Sequence, residues 1–591
     1  MQMHGVLFFV AGSSRILSAL NPVQLIFTLV RKPMVKLDFF SFGSKKNSHP
    51  LDSVKLIGEW YAPLTRETGP AAHAKVSELL MQFNAQSENY SPEALEAVLE
   101  LDRLICVHHK QLCEQYLLNT RMPKALEAQL RAQILGYGRQ VLAAYQRFMG
   151  FDPDDRAAAS IRILLPTVIA RMMHYLTEFA LWQYYRHFHP DEMFWRNANQ
   201  LFAYAEQHQI DVVPVQLFGE GDVTTIHDLY LSLLMVSTLT SGNLAIRQIR
   251  FAYQLALQTS SSMALGQDYQ GDASFMVNLS AGLPPGRVRD ALPKGNVRVW
   301  STADLVDRLT SWVSVFESGA VPSDLKAIMT AGVDAGLLRY LCREWSVRPH
   351  LYERAQRVRV DSQQIEVAQR FAQLHKLVRE QEEKAREDTR RAGGGDDNFD
   401  TADEVRIYGF VTSRRRERQV LPPQQQQKEQ FPFWDVDNRS ETGLGLSLPA
   451  QGNEWVALGT LLGFRQRGEN DWSLGVVRRL QRPGQDKLYL GVHILTNRPV
   501  AAALRQEEGR SVDPATPSDM VWNQGEIALF VPLLREGKKL NTVLISIGTY
   551  AMGKQYQMVA RGKVFLISLG RVVEKGTDWC QAEIELIKTL S

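Results

Sequence analysis

Residues 473–495 read SLGVVRRLQRPGQDKLYLGVHIL, which is two apolar, β-branched runs separated by the turn-forming stretch QRPGQDK. Short runs bounded by Gly, Pro and Asp are typical of β-strands that are joined by tight turns. The preceding residues repeat this pattern in EVRIYGF and WVALGTLLGF. No long helical pattern comes between these strands, so the sequence predicts a small antiparallel barrel or sandwich over residues 404–505.

The residues that follow this predicted barrel continue the β pattern. The alanine-rich stretch RPVAAALRQE (498–507) is expected to form a short closing helix. A second set of strand patterns comes after it, including EIALFVPL, NTVLISIGT and KVFLISLG. We therefore predict a second small β unit over residues 517–588, packed on the first barrel.

The region before the barrel has a helical period instead. SPEALEAVLELDRLICVHHKQLCEQYLL begins with Ser91 as the N-cap candidate and has apolar residues at helical spacing. Similar patterns recur down the chain, interrupted by two short strand candidates, DASFMVNLSAGLPP and GNVRVWST. We predict a helical domain over 51–390, with its last helix starting near Asp361, and a glycine-containing flexible linker over 391–403. The fold class is therefore multidomain, an all-α N-terminal region followed by an all-β C-terminal part.

Composition limits the classes of function. The 591 residues are too many for one core, and 67 Lys plus Arg against 64 Asp plus Glu leave no general basic excess. The most apolar stretch, IRILLPTVIARMMHYLTEFALW, contains three charged residues, so we expect no transmembrane segment. Four scattered cysteines indicate a reducing compartment, and we expect a cytoplasmic protein. Residues 1–50 are expected to be an extension or a disordered N-terminus. Within them, Met34 would make a sensible translation start.

Three sequence patterns resemble functional motifs, but we assign no metal, nucleotide or catalytic site to them. Cys106 and Cys113 flank two histidines, but paired zinc ligands are usually about two to four residues apart, so we expect buried small side chains and no metal. GTYAMGKQ (548–555) lacks the Ser or Thr of a P-loop and precedes a strand-like segment, which favours a hairpin turn. His493 lies in an apolar strand and is read as a core or rim histidine. Nothing in the sequence argues for an enzyme, and we expect none.

The strongest site candidate is a pair of polar segments at the start of the β half. RRRER (414–418) presents arginines, whose guanidinium groups pair bidentately with phosphate or with the N7 and O6 edge of guanine. NRSETG (438–443) follows after nineteen residues and supplies an amide, a hydroxyl and a glycine that lets the backbone approach a ligand. This combination suits a dianionic guanine nucleotide. The candidate residues are Arg414, Arg415, Arg418, Asn438, Ser440 and Gly443.

The order R-x-x-x-R, then [D/N]-x-S-x-x-G at the start of a small barrel, resembles the signature of the PilZ family, bacterial receptors for cyclic di-GMP. The resemblance implies that Arg414 and Arg418 clasp guanine and phosphate. It also implies that Asn438 and Ser440 bind the other guanine region and that Gly443 permits the turn. About 100 of the residues are covered. The PPQQQQ stretch after the arginines departs from the pattern, because proline is confined to strand edges and bulges.

The same resemblance implies a cyclic di-GMP effector that needs no other cofactor. Arg415 would add a stacking contact for an intercalated ligand dimer. The barrel would sense the ligand, and the helical region would engage an unidentified protein partner of a motility, pilus or exopolysaccharide system. Two alternatives remain open. One is a degenerate PilZ domain that serves only as a scaffold, and the other is a basic patch for nucleic acid or acidic lipid. The flanks are not basic enough to make nucleic acid the expected partner.

Overall fold

The computed structural model consists of two compact units, Met1–Leu351 and Tyr352–Ser591. The structure describes residues 49–86, 91–119, 122–149, 156–219, 221–239, 241–267, 273–288, 295–330, 333–348, 357–392, 431–484, 486–506, 522, 525–535, 538–576 and 578–590.

Helices with a few short strands form the first unit. The α-helices are α1 (Val54–Tyr61), α2 (Gly69–Ala85), α3 (Pro92–Leu118), α4 (Lys124–Arg147), α5 (Arg156–Tyr184), α6 (Glu192–Gln207), α7 (Ile226–Ser237), α8 (Ile246–Ser260), α9 (Ala303–Glu317) and α10 (Ala335–Glu344). The strands are β1 (Val215–Gln216), β2 (Val223–Thr224), β3 (Phe275–Asn278), β4 (Gly286–Arg287) and β5 (Val297–Trp300). β3 pairs with β4 and with β5, and β3 and β5 lie in the two segments predicted as short strands, which confirms that prediction.

The start of α3 shows how the sequence sets a helix boundary. The Ser91 hydroxyl accepts a hydrogen bond from the backbone N–H of Ala94 at 3.1 Å, and Pro92 occupies the first helical position. The serine hydroxyl gives a partner to one N–H of the first turn, and the proline has no N–H that would need one. The apolar positions of α3, such as Leu95 and Ile105, are fully buried in the helical core. The predicted N-cap is confirmed.

A carboxylate surrounded by tyrosines lies inside this helical core. The Asp102 side chain accepts hydrogen bonds from the hydroxyls of Tyr137 at 2.5 Å, Tyr145 at 2.6 Å and Tyr175 at 2.5 Å. The Arg171 guanidinium donates a fourth hydrogen bond at 3.3 Å and balances the charge. A carboxylate offers about four acceptor positions. The Asp102 cluster, as we name these five residues, therefore satisfies its own hydrogen-bonding capacity.

Among the residues that the structure describes, the second unit contains two barrels and the helix α11. Its elements are β6 (Val358–Ala368), α11 (Phe371–Ala392), β7 (Phe433–Ser440), β8 (Gly443–Pro449), β9 (Leu461–Gln466), β10 (Ser473–Gln481), β11 (Lys487–Thr496), β12 (Val500–Gln506), β13 (Glu526–Phe530), β14 (Leu533–Arg535), β15 (Lys538–Leu540), β16 (Thr542–Ser546), β17 (Gln555–Ala560), β18 (Lys563–Lys575) and β19 (Trp579–Thr589). The first barrel closes in the order β10-β11-β8-β7-β6-β9, and the second in the order β12-β13-β16-β19-β18-β17. The described pairs within both barrels are antiparallel, and the predicted fold class is confirmed.

The first barrel begins earlier in the chain than predicted. β6 occupies residues where the sequence suggested the last helix near Asp361, and α11 starts only at Phe371. The segment is a strand because Ile365 and Val367 alternate into the barrel core while its backbone pairs with both β7 and β9. The predicted ranges 51–390 and 404–505 therefore differ from the structure, which places β6 and α11 in the second unit. The predicted linker, 391–403, lies almost entirely outside the described residues.

The predicted closing helix after the first barrel is also a strand. β12 contains the run Ala501–Ala503, and it pairs with β13 on one side and β17 on the other. Alanine favours helices in isolation, but partners on both sides satisfy the backbone groups of this segment and bury its small side chains. β12 is thus the first strand of the second barrel, and the remaining strands of that barrel fall close to the predicted range 517–588.

Helix α11 packs against both barrels. Leu374 and Val378 on α11 share one apolar cluster with Trp472 of the first barrel and with Leu544 and Trp579 of the second. The His375 ring lies 2.9 Å from the carbonyl oxygen of Ala502. The second barrel therefore packs on the first through this helix and through direct contacts, such as the hydrogen bond that the Trp579 indole donates to the Gly459 carbonyl at 3.0 Å.

Candidate ligand-binding site

The segment 438–443 forms the hairpin between β7 and β8. Ser440 pairs directly with Gly443, so Glu441 and Thr442 make the two-residue turn. The Ser440 hydroxyl donates to the Gly443 carbonyl at 3.4 Å. A Cβ on Gly443 would lie 3.2 Å from the carbonyl oxygen of Val492, and the glycine φ is not in the left-handed region. This glycine is thus needed for the close approach of β8 and β11, more than for the turn itself.

A β-bulge in β7 decides which side chains face outward. The pairing of β7 with β8 shifts between Val436 and Asn438, so Asp437 is an extra residue in β7. A bulge of this kind reverses the alternation of side chains beyond it. Asn438 consequently lies opposite Gly445 on the outer face of the barrel, next to Ser440, while Leu444 points into the core.

The Asn438 amide lies flat against a floor of glycines. A Cβ on Gly445 would be 2.6 Å from both terminal atoms of the Asn438 side chain, so only glycine leaves room for the amide. Gly491 on β11 lies opposite Gly445, and a Cβ there would lie 3.1 Å from the Arg479 side chain. The Oδ1 atom of Asn438 is buried and has no hydrogen-bond partner among the described residues. Such an atom costs about 1–3 kcal/mol in the free protein, and a ligand that donates to it recovers that cost.

A histidine forms one rim of this face. His493 lies opposite Gly443, and its Nδ1 atom is 3.1 Å from the Thr442 carbonyl oxygen. Burial lowers its pKa, and the nearby Arg478 guanidinium lowers it further. A neutral imidazole therefore forms the rim at physiological pH. Its position agrees with the prediction of a core or rim histidine. Arg478 itself pairs with Glu574 at 2.5 Å.

The predicted site residues fall into two groups in the structure. Asn438, Ser440 and Gly443 come together on one outer face of the first barrel. Arg414, Arg415 and Arg418 lie in residues 393–430, outside the described residues. Sequence analysis missed the glycine floor, although the alternation GLGL at 443–446 indicates one face without side chains. It also missed Arg359, which lies directly opposite Asn438 on β6.

The two cysteines set aside at the sequence level lie on α3, with Cys106 buried and Cys113 half-buried. Potential ligand atoms of Cys113, His109 and Glu178 lie within 4.8 Å of one another. The His109 ring is bonded at 3.0 Å to Glu178 through Nε2, and at 3.0 Å to His73 through Nδ1. Both ring nitrogens are thus occupied, and the geometry is that of a buried ion pair beside a thiol.

The electrostatics of this pair agree with that interpretation. Burial lowers the pKa of His109, but the Glu178 carboxylate and the Cys113 thiol together raise it by more, so the pKa lies well above its ordinary value. Burial raises the pKa of Glu178, and His109 lowers it by more, so that pKa lies below its ordinary value. Burial lowers the pKa of His73 to about 3, so His73 is the neutral acceptor. The group is charged and balanced near neutral pH.

The segment that resembles a P-loop is a turn that connects β16 to β17. Residues Ile547–Thr549 form a single 3-10 turn, and β17 begins at Gln555. No helix follows Lys554, so no helix N-terminus is present there to receive a phosphate. The segment is a turn, but the predicted hairpin is wrong, because β16 and β17 do not pair with each other in the barrel.

Two comparisons with protein families give matches. The family described as the N-terminal domain of the cyclic-di-GMP receptor FimW matches residues 55–268. The family described as the middle PilZ domain of the same receptor matches residues 360–500, from β6 to the start of β12. Together these matches span more than half of the chain. Neither a curated protein nor a solved structure matches it. Among the described residues, the helices are too short or too polar to cross a membrane.

Proposed function

Because this chain belongs to the FimW family of cyclic-di-GMP receptors and contains its PilZ domain, we propose that it binds cyclic di-GMP on the outer face of the first barrel. The site comprises Asn438, Ser440 and Gly443, with Gly445 as its floor. Cyclic di-GMP is the ligand of this receptor family, and the family match to residues 360–500 includes every residue of the proposed site.

The buried, unpartnered Oδ1 atom of Asn438 is the observation that carries the proposal. An amide oxygen accepts from the amino group of guanine, and an amide nitrogen donates to its N7 or O6 atom. A Cβ at Gly445 would lie 2.6 Å from this amide, so the glycine is what lets the amide lie against the outer face of the barrel. The Ser440 hydroxyl lies on the same face and can hydrogen-bond guanine beside the amide, which is the role that the family signature implies.

The arginines complete the proposed site. Arg414 and Arg418 would clasp guanine and phosphate, and Arg415 would stack on a base of an intercalated ligand dimer. Guanidinium groups suit these roles because their planar donor fork matches both phosphate and the guanine edge. These roles rest on the family signature.

We further propose that the chain acts as an effector in which the helical unit engages a protein partner. The support is that this unit has its own hydrophobic core and its own matched domain. Control by the ligand requires that cyclic di-GMP bind one arrangement of the two units better than another. Small-angle scattering should therefore change on saturation with ligand, and should change much less for Asn438→Ala/Ser440→Ala at a ligand concentration that just saturates the wild type. Identical wild-type curves with and without ligand would refute ligand control.

Isothermal titration calorimetry tests the binding site. We expect wild-type chain to bind cyclic di-GMP and the Asn438→Ala/Ser440→Ala variant to bind about a hundredfold more weakly, about 2.7 kcal/mol. The matched control is Asn541→Ala/Ser546→Ala, which removes the same two functional groups from exposed ends of β16. Affinity that falls steeply with salt in both variants would instead indicate non-specific polyanion binding. Folded wild-type chain that gives no binding heat would contradict the proposal.

A further inference from the structure

Helices α3 and α5 bring three side chains with metal-ligating atoms together inside the helical unit. His109 and Cys113 lie on α3 four residues apart, so both project from one face of that helix. Glu178 reaches them from α5, which is distant in sequence. The ligand atoms of these three side chains lie within 4.8 Å of one another, and Cys106 does not belong to the group. The spacing of the two cysteines could not indicate such a group, because its third member lies on another helix.

The distances between these atoms are close to those of a zinc site. A tetrahedral zinc ion with bonds of about 2.0–2.3 Å holds its ligand atoms about 3.3–3.8 Å apart. The Nε2 atom of His109 and the Oε2 atom of Glu178 are already 3.0 Å apart. The widest separation within the group is at most about 1 Å larger than a zinc ion requires. A rotation of the Cys113 or Glu178 side chain covers a distance of that size.

A second histidine holds the His109 ring in place. The Nδ1 atom of His109 lies 3.0 Å from the Nε2 atom of His73, and the two rings stack with their centroids 5.3 Å apart. His73 is buried and neutral, so its Nε2 atom accepts the hydrogen bond that the Nδ1–H group of His109 donates. A metal-ligating histidine ordinarily donates its other ring N–H in this way, which fixes the tautomer and the ring orientation. The Nε2 atom of His109 is thereby directed toward Glu178.

The charges of the three side chains suit a divalent cation. In the ion pair described above, protonated His109 balances the Glu178 carboxylate, and the Cys113 thiol is neutral. Zn²⁺ replaces the His109 Nε2 proton and the thiol proton, so a thiolate and a carboxylate balance the two charges of the ion. Two protons leave as one ion enters, and the group is neutral in both forms. The ion pair is therefore the metal-free form of the group, and its pH dependence belongs to that form.

We propose that His109, Cys113 and Glu178 bind one zinc ion, with water in the fourth position. One nitrogen, one sulfur and one oxygen favour zinc over magnesium and calcium, which prefer oxygen ligands. The Glu178 side chain is 22% exposed, so solvent reaches the group from that side. The ion would tie α3 to α5 within the helical unit. This site is independent of the proposed binding of cyclic di-GMP to the first barrel.

Zinc binding to the full-length chain tests the proposal. The chain is first freed of metal, and zinc chloride is then titrated in competition with a chromophoric chelator. We expect one ion per wild-type chain. Cys113→Ser and Glu178→Gln should each bind at least about a hundredfold more weakly, because loss of a ligand should cost more than the change of a supporting residue. Cys106→Ser is the matched control, since it removes a thiol from the same helix outside the group, and it should keep wild-type affinity.

Cobalt adds a readout that a purely structural role for these residues would not produce. Co²⁺ bound in the same site should show a thiolate-to-metal charge-transfer band in the wild type and in Cys106→Ser, and no such band in Cys113→Ser. His73→Phe should keep the band and weaken zinc binding about tenfold, because the His109 ring loses the acceptor that orients it. Magnesium chloride at the same concentration should not displace zinc.

The outcomes decide the assignment. Weak zinc binding by folded Cys113→Ser with wild-type binding by Cys106→Ser would support it, and circular dichroism establishes the folding of each variant. Wild-type zinc affinity in Cys113→Ser or a wild-type cobalt complex without the thiolate band would overturn it. If Glu178→Gln unfolds, the nearly isosteric Cys113→Ser and the cobalt band still decide. A folded wild-type chain that binds no zinc would overturn the zinc site and leave the proposed cyclic di-GMP site intact.

Discussion

The Asp102 cluster of the helical unit and the Asn438 amide of the first barrel are two buried polar groups in opposite states. In the Asp102 cluster, three tyrosines and Arg171 fill the acceptor positions of one buried carboxylate. On the barrel face, Asn438 is held against glycine with its Oδ1 atom buried and unpartnered among the described residues. A closed network contributes stability and specificity of packing, whereas an unsatisfied group is tolerated where a ligand completes it. The Asp102 cluster therefore stabilises the fold, whereas we propose that the Asn438 amide binds ligand.

The largest expected effect is on the closed network. Asp102→Ala removes the acceptor of four buried donors, and it should lower the free energy of unfolding of the first unit by about 3–5 kcal/mol. Urea unfolding followed by circular dichroism measures this loss. The control Asp307→Ala removes an exposed carboxylate from α9 and should change stability by less than about 0.5 kcal/mol. Equal stability of the two variants would contradict the claim that the Asp102 cluster stabilises the helical unit.

The ion pair between His109 and Glu178 should make the stability of the helical unit depend on pH. Glu178→Gln should cost about 2 kcal/mol, less than a fully buried pair, because the carboxylate is partly exposed. The raised pKa of His109 makes the contribution complete below pH 6.5, and it disappears as the pH rises through the folded value. The lowered pKa of Glu178 makes it present above pH 4.5 and lost as the pH falls through its folded value. Thermal unfolding of both proteins from pH 4 to 9 should therefore show the widest gap between about pH 4.5 and 6.5. A gap independent of pH would contradict the ion pair.

On the barrel face, a single methyl group should be enough to disrupt binding. Gly445→Ala places a Cβ 2.6 Å from the Asn438 amide, which must move away from the ligand. Affinity for cyclic di-GMP should fall about thirtyfold, about 2 kcal/mol. Gly484→Ala in the turn between β10 and β11 is the control, since a Cβ there meets no atom within 4 Å. Calorimetry that gives both variants wild-type affinity would mean that the glycine floor is not part of the site.

The sharpest comparison uses two asparagines of the same barrel. Asn438→Ala should weaken cyclic di-GMP binding about tenfold, about 1.4 kcal/mol, and leave stability unchanged or slightly higher because an unpartnered buried atom is removed. Asn453 accepts from the Trp434 indole at 3.2 Å and donates to the Pro449 carbonyl at 3.0 Å. Asn453→Ala should therefore lower stability by about 1 kcal/mol and leave affinity unchanged. Loss of stability in Asn438→Ala and loss of affinity in Asn453→Ala would mean that Asn438 is structural and that Asn453 binds the ligand.

Local periodicity was enough to predict the two β units, and the residue types at 438–443 were enough to predict a turn there. Period-two runs such as SLGVVRRL appear in the structure as β10, and Ser440 pairs with Gly443 across the predicted turn. The parts that were missed depend on contacts that are distant in sequence. β6 is separated from its partner β7 by α11 and residues 393–430, so no local pattern joins Arg359 to Asn438. The alanine run of β12 is likewise a strand only because β13 and β17 flank it.

A crystal structure of the full-length chain with cyclic di-GMP tests the central claim most directly. We predict that the Asn438 Oδ1 atom accepts a hydrogen bond of about 2.7–3.2 Å from a guanine N–H group. The base should lie against the Asn438 amide on the outer face of β7 and β8. A ligand bound elsewhere, with the Asn438 amide still uncontacted on the barrel face, would contradict the account.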